Sequence, residues 1–256
     1  MQKHIVMIHG MWASSWSFDN YRAYFEERGY QVHTPVLPHH GDEPDGDALA
    51  KYGIEEYTTY LVDWIDNLKL DSAPVVLGHS MGGLLAQKVA SRIKAAALVC
   101  MCPAPPYGIN ALRFSVIRTF IGVLLKPAFW NKSHTMSESA AAYAIYNLAP
   151  DDSWKEKEFN RLGLESGKAI FEIGMWPVDF KRAARVDAKK VTCPVLVVSG
   201  AEDRITPAAV NFANARKYKQ AEYRSYPNHA HWIMGEPGWQ DVARDVAEWL
   251  NRNTAA

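Results

Sequence analysis

The chain has 256 residues, 48% of them hydrophobic, and its 28 basic residues balance 28 acidic ones. That balance removes any electrostatic ground for nucleic-acid binding. The length suits one large α/β domain, or such a domain with an insertion, whose core needs no covalent staple.

The first residues lack the apolar run and cleavage site of a signal peptide. Ile5-Val6-Met7-Ile8 is the first expected strand. A helix with Tyr21 and Phe25 inward follows, closed by Gly29 just past its end. Residues 30–36 form a second strand and 39–53 a polar loop. Ile54, Tyr57, Leu61, Trp64, Ile65 and Leu68 then mark an amphipathic helix. Pro74-Val75-Val76-Leu77 begins a buried strand that runs to His79, and residues 96–101 form the next. Cys100 and Cys102 are expected on one face of it, because side chains two apart in a strand point the same way. With Cys193 they read as reduced, buried thiols of a cytoplasmic protein.

The alternation then stops. From about residue 103 to 187 the chain reads as helical, aromatic-rich and without a strand. It resumes at Pro194-Val195-Leu196-Val197-Val198, followed by Thr206 as an N-cap with Pro207 at the first helical position. Residues 221–226 make a last strand, and Trp239, Val242, Val246 and Trp249 line a C-terminal helix. Strands alternating with helices predict a mostly parallel central sheet of about six strands covered on both faces. The expected core is 1–103 with 188–256, and 104–187 is an inserted helical cap. The longest apolar stretch, 114–125, is interrupted by Arg118 and is too short to span a bilayer. Its helix is apolar over more than one face. Lid packing is the first reading, and a membrane-surface or homodimer contact is the alternative.

Gly78-His79-Ser80-Met81-Gly82 matches G-x-S-x-G, a sharp strand-to-helix turn that presents a serine at the end of a sheet. The buried strand before it and Met81, Leu84, Leu85 and Val89 at helical spacing after it supply the context this motif needs. A serine hydroxyl needs a base, and the base needs a group that fixes its tautomer. Asp203, just beyond strand 194–198, and His231, just beyond the last strand, stand in the order Ser, acid, His. Glu202 and His229 are their nearest competitors. Two backbone N–H groups, of Met81 after the serine and of Met11 in His9-Gly10-Met11-Trp12 after the first strand, are the expected oxyanion donors. Trp12, Tyr107, Phe129, Trp176 and Trp232 are the expected substrate contacts. His39, His40, Asp42, Glu43, Asp45 and Asp47 read as a solvated loop, since adjacent histidines do not readily ligate one ion. No metal or cofactor is called for.

His9-Gly10, Gly78 to Gly83, Gly200-Ala201-Glu202-Asp203 and Ala230-His231-Trp232 together resemble the α/β-hydrolase superfamily, in order and along nearly the whole chain. The resemblance implies a parallel sheet lacking the family's first two antiparallel strands, with the cap after the strand ending near Met101. The stretch from His9 through Trp16 to Pro44 is similar to the plant methylesterase and hydroxynitrile lyase branch. Its lyases carry a lysine after the catalytic histidine where this chain has Trp232, which speaks against cyanohydrin cleavage. Haloalkane dehalogenases and epoxide hydrolases on this fold carry aspartate at the elbow, so Ser80 speaks against both. The implied function is a serine carboxylesterase acting on carboxylic esters with an apolar or aromatic part. A carbon–carbon bond hydrolase, a thioesterase and a catalytically silent ligand receptor are the alternatives.

Overall fold

In the computed structural model, which describes residues 2–254, six parallel strands form one sheet. The elements run β1 (Lys3–Ile8), α1 (Asp19–Glu26), β2 (Tyr30–His33), α2 (Gly46–Leu49), α3 (Ile54–Asn67), β3 (Val75–His79), α4 (Met81–Ala90) and β4 (Ala97–Met101). Then come α5 (Phe114–Leu124), β5 (Ser133–His134), α6 (Glu138–Ala144), α7 (Trp154–Lys157), β6 (Glu165–Ser166) and α8 (Gly167–Gly174). The chain closes with β7 (Val195–Gly200), α9 (Ala208–Ala215), β8 (Ala221–Tyr226) and α10 (Trp239–Thr254).

The strand order is β2-β1-β3-β4-β7-β8. Side-chain alternation splits the core into two layers. Ile5, Met7, Val75 and Leu77 pack with α1 and α10, while Val6, Ile8 and Val76 pack with α3 and α4. The strand order reverses between β1 and β3, the place where open parallel sheets leave a crevice beyond their carboxyl ends. Residues 102–194 leave the sheet between β4 and β7, which are direct neighbours. Val123, Phe129, Ile145 and Trp154 of this segment join the α1/α10 layer, so segment and sheet share one core.

Five expectations change. β2 ends at His33, not 36: beyond it Val36 O accepts from Tyr60 Oη, and Leu37 N–H donates to His9 Nε2 at 3.0 Å. Side chains capture the backbone that a longer strand would have paired. The loop at 39–53 contains α2, whose N-cap Asp45 accepts from the Asp47 and Ala48 amides. α9 starts at Ala208, with Pro207 in extended conformation (ψ 146°) as its cap, because the Thr206 hydroxyl is engaged elsewhere. The excursion contains one antiparallel pair, β5 with β6; two residues are too few to show a period. Finally, Cys102 lies past the end of β4 with φ +43°, so it packs on the layer opposite Cys100. All three cysteines are free and buried. No helix of the described residues is long and apolar enough to cross a membrane.

Candidate active site

Ser80 has φ +54° and ψ −121°, a left-handed conformation that costs a non-glycine residue about 1–3 kcal/mol. Its surroundings enforce it. Ser80 N–H donates to Met101 O, and Ser80 O accepts from the amides of Gly83 and Ala104. A Cβ on Gly78 would lie 2.0 Å from Gly82 O, and one on Gly82 would lie 2.0 Å from Ile8 O. Both glycines are therefore required by close backbone approach. The result places Ser80 at the N-terminus of α4, where the helix dipole favours negative charge. The Met11 and Met81 amides, the expected oxyanion donors, make no hydrogen bond to the described residues.

His231 Nδ1 lies 2.8 Å from Asp203 Oδ2, and both side chains are buried. Burial opposes ionisation of Asp203, but the His231 ring, its hydrogen bond and the Thr206 amide and hydroxyl outweigh it. The Asp203 carboxyl is thus held below the ordinary carboxylate range. Thr206 is a positioning residue that its own sequence context did not reveal. Its Oγ1 is 2.7 Å from Asp203 Oδ2, 2.9 Å from Cys102 O and 3.5 Å from His231 Nδ1. Ile205 and Thr206 amides also donate to Asp203 Oδ1 at 2.8 Å. The competitors stand apart. His229 Nδ1 meets Glu236 Oε1 at 3.0 Å, and Glu202 is exposed on the loop surface. Cys102, Asp203 and His231 cluster closely enough to suggest a cation site. Burial pushes the Cys102 thiol well up and Asp203 is already committed to His231, so the donor set does not suit a metal.

Two further histidines brace the site. His79 Nε2–H donates to His231 O at 2.8 Å, which tethers the backbone of the His231 loop to β3. Burial, then the neighbouring His231, lowers the His79 pKa to about 3, so its ring is neutral. His9 accepts from Leu37 N–H, which makes its other nitrogen, 2.9 Å from Gly10 O, the donor. Burial, then nearby His40, lowers the His9 pKa to about 3. His9 therefore fixes the loop that carries Met11. A Cβ on Gly10 would sit 3.0 Å from Ser80 Cβ, which is why glycine belongs there.

Ser80 borders two cavities of very different size. One, of about 30 Å³, is shared with His231, His79, Trp12, Ile145, Leu162 and Trp232. Ser80 and His231 both line it, and a serine–histidine hydrogen bond of this kind commonly tightens only on substrate binding. The other, of about 690 Å³, is mostly apolar and is lined by Met11, Met81, Phe120, Ile173 and Trp176 as well as Ser80. Of the expected substrate contacts, Trp12, Trp176 and Trp232 line these cavities. Phe129 and Tyr107 do not. Phe129 is buried against Trp130 and Phe171, and Tyr107 packs on Trp176 with Arg182 over its ring. Large aromatic side chains in an inserted segment supply its core as readily as its pocket. Phe120 and Leu124, which line the chamber, were legible as one stripe of α5, but not the direction in which that stripe points.

Residues 5–245 match the alpha/beta hydrolase family. A carboxylesterase of Bacillus subtilis is 26% identical over 98% of this chain and 93% of its own length. A pyrethroid hydrolase of Sphingobium wenxiniae is 34% identical over 79 residues, 31% of this chain and only 27% of the relative. Among solved structures, a monoacylglycerol lipase of Paleococcus ferrophilus superposes with a TM-score of 0.70 at 23% identity, covering 98% of this chain and 94% of that one.

Proposed function

The chain belongs to the alpha/beta hydrolase family, and from that premise we propose that it is a serine hydrolase of carboxylic esters with a large apolar part. The observation that carries this reading is the 2.8 Å His231–Asp203 contact at the rim of the cavity that Ser80 faces. Ser80 Oγ attacks the ester carbonyl while His231 Nε2 takes its proton. Asp203 orients the ring and offsets its charge. The Met11 and Met81 amides receive the oxyanion. His231 then protonates the leaving alkoxide, leaving Ser80 acylated. Water attacks the acyl-enzyme, giving its proton to His231, and the released serine recovers a proton from His231. Residues 104–187 act as a cap whose apolar wall encloses the acyl part. Similarity to a carboxylesterase and to a pyrethroid hydrolase supports ester chemistry, and three free, buried cysteines are in keeping with a reducing cytoplasm.

The test is labelling of Ser80 by a fluorophosphonate, read by peptide mass, beside hydrolysis of methyl decanoate. Ser80→Ala is expected to abolish labelling and to lower turnover by on the order of 10⁵–10⁶. Turnover retained within tenfold in that variant would remove Ser80 from the mechanism. Turnover confined to vinylogous diketones would instead favour carbon–carbon bond hydrolysis.

A further inference from the structure

We propose that the two cavities beside Ser80 divide an ester unequally: the acyl part occupies the large chamber, and the leaving group is limited to about two carbons by Ile145. This rests on the serine-hydrolase reading above. The division follows from where the proton must go. After Ser80 Oγ bonds to the carbonyl carbon, the carbon–oxygen bond to the alcohol breaks, and the departing oxygen takes the proton that His231 holds. The leaving oxygen must therefore lie within hydrogen-bond reach of the imidazole. His231 lines the small cavity and not the large one. Met81 lines only the large chamber and Met11 borders both cavities, so with the leaving oxygen held on the His231 side the acyl substituent is left to point into the large chamber.

The sizes then set specificity. A water needs about 10–15 Å³ of such space, so the His231 side, about 30 Å³, admits a methoxy or ethoxy group and, after its departure, the attacking water. The opposite side, at about 690 Å³, takes a long or ring-bearing acyl chain. The walls of the small side are apolar side chains from the excursion, Ile145, Leu162 and Phe120, closing over Trp12 and Trp232. Ile145, like Trp232, belongs to two linings, and it is the aliphatic one of the pair. It also lines a separate surface cleft of about 370 Å³, together with Tyr146, Trp154 and Trp232. Shortening Ile145 joins the small cavity to that cleft and gives a longer alcohol somewhere to go.

The experiment measures kcat/KM, by pH-stat, for methyl, ethyl, butyl and octyl decanoates and for octyl acetate, with the native protein and with Ile145→Ala. The native protein is expected to favour methyl over butyl decanoate by at least 100-fold and methyl decanoate over octyl acetate by a similar factor. Ile145→Ala is expected to raise the butyl-to-methyl ratio at least tenfold. Leu162→Ala serves as the second variant, expected to move that ratio in the same direction, should Ile145→Ala fold poorly. Equal turnover of methyl and octyl decanoate by the native protein would overturn the size limit. A preference for octyl acetate would assign the chamber to the alcohol and overturn the orientation. Absence of turnover of every ester and of Ser80 labelling in the native protein would refute the serine-hydrolase reading itself, and the proposal with it.

Discussion

The floor of the site and its roof are built differently. The floor consists of β1, β3 and α4, where Gly78, Gly82 and Gly10 bring backbone against backbone and buried histidines hold the loops. The roof, residues 104–187, has short helices, a single two-residue strand pair and a broad exposed apolar rim, with Phe114 at 79% and Phe180 at 97% exposure. One side therefore fixes the Ser80 turn by steric exclusion. The other shapes volume with side chains that have room to change.

The largest test of that contrast substitutes a floor glycine. Gly82→Ala puts a Cβ 2.0 Å from Ile8 O and is expected to cost more than about 4 kcal/mol, seen as loss of the cooperative urea transition. Native-like unfolding of this variant would show the floor to be as pliant as the roof.

The joint between the two regions is next. Glu165 on β6 is wholly buried, 3.1 Å from His40 Nε2 and 3.1 Å from Tyr57 Oη. Glu165→Ala leaves His40 buried without its partner and is expected to cost about 3–5 kcal/mol in urea denaturation. Burial disfavours the His40 cation, but Glu165 outweighs it and raises the pKa above 6.5. The stabilisation is therefore complete below pH 6.5 and is lost as pH rises through the raised value. A difference between native and variant that does not shrink from pH 6 to pH 9 would contradict this.

A smaller effect lies at Glu236, beneath the His229 loop. Burial raises its pKa from 4.5 to about 7, against the opposing Ala230 amide. The Glu236 contribution is thus complete below pH 4.5 and is lost as pH rises through about 7. Glu236→Gln is expected to stabilise by roughly 1–3 kcal/mol at pH 9 and by little at pH 4.5. Thermal melting at both values measures it, and the reverse order would refute it.

The smallest effect is in the roof. A Cβ on Gly122 in α5 meets nothing within 4 Å, so Gly122→Ala is expected to stabilise by up to about 1 kcal/mol. A fall in melting temperature would show that α5 is packed as tightly as the floor.

The amino-acid sequence by itself determined the six-stranded alternation, the elbow and the Ser80, Asp203, His231 order. Each is a local pattern: a period, a glycine spacing, a residue at a strand end. It also marked where the alternation stops. It favoured His231 over His229 and Asp203 over Glu202 on order and spacing alone, because neighbours on a loop differ only in which way they point. Only the tertiary structure turns His231 to Asp203 and His229 to Glu236. It also brought Thr206 onto Asp203, paired Glu165 with His40 across 125 residues, and separated Trp176 at the chamber wall from Phe129 and Tyr107 in packing. Those outcomes depend on non-local packing of side chains, for which spacing along the chain carries no signal.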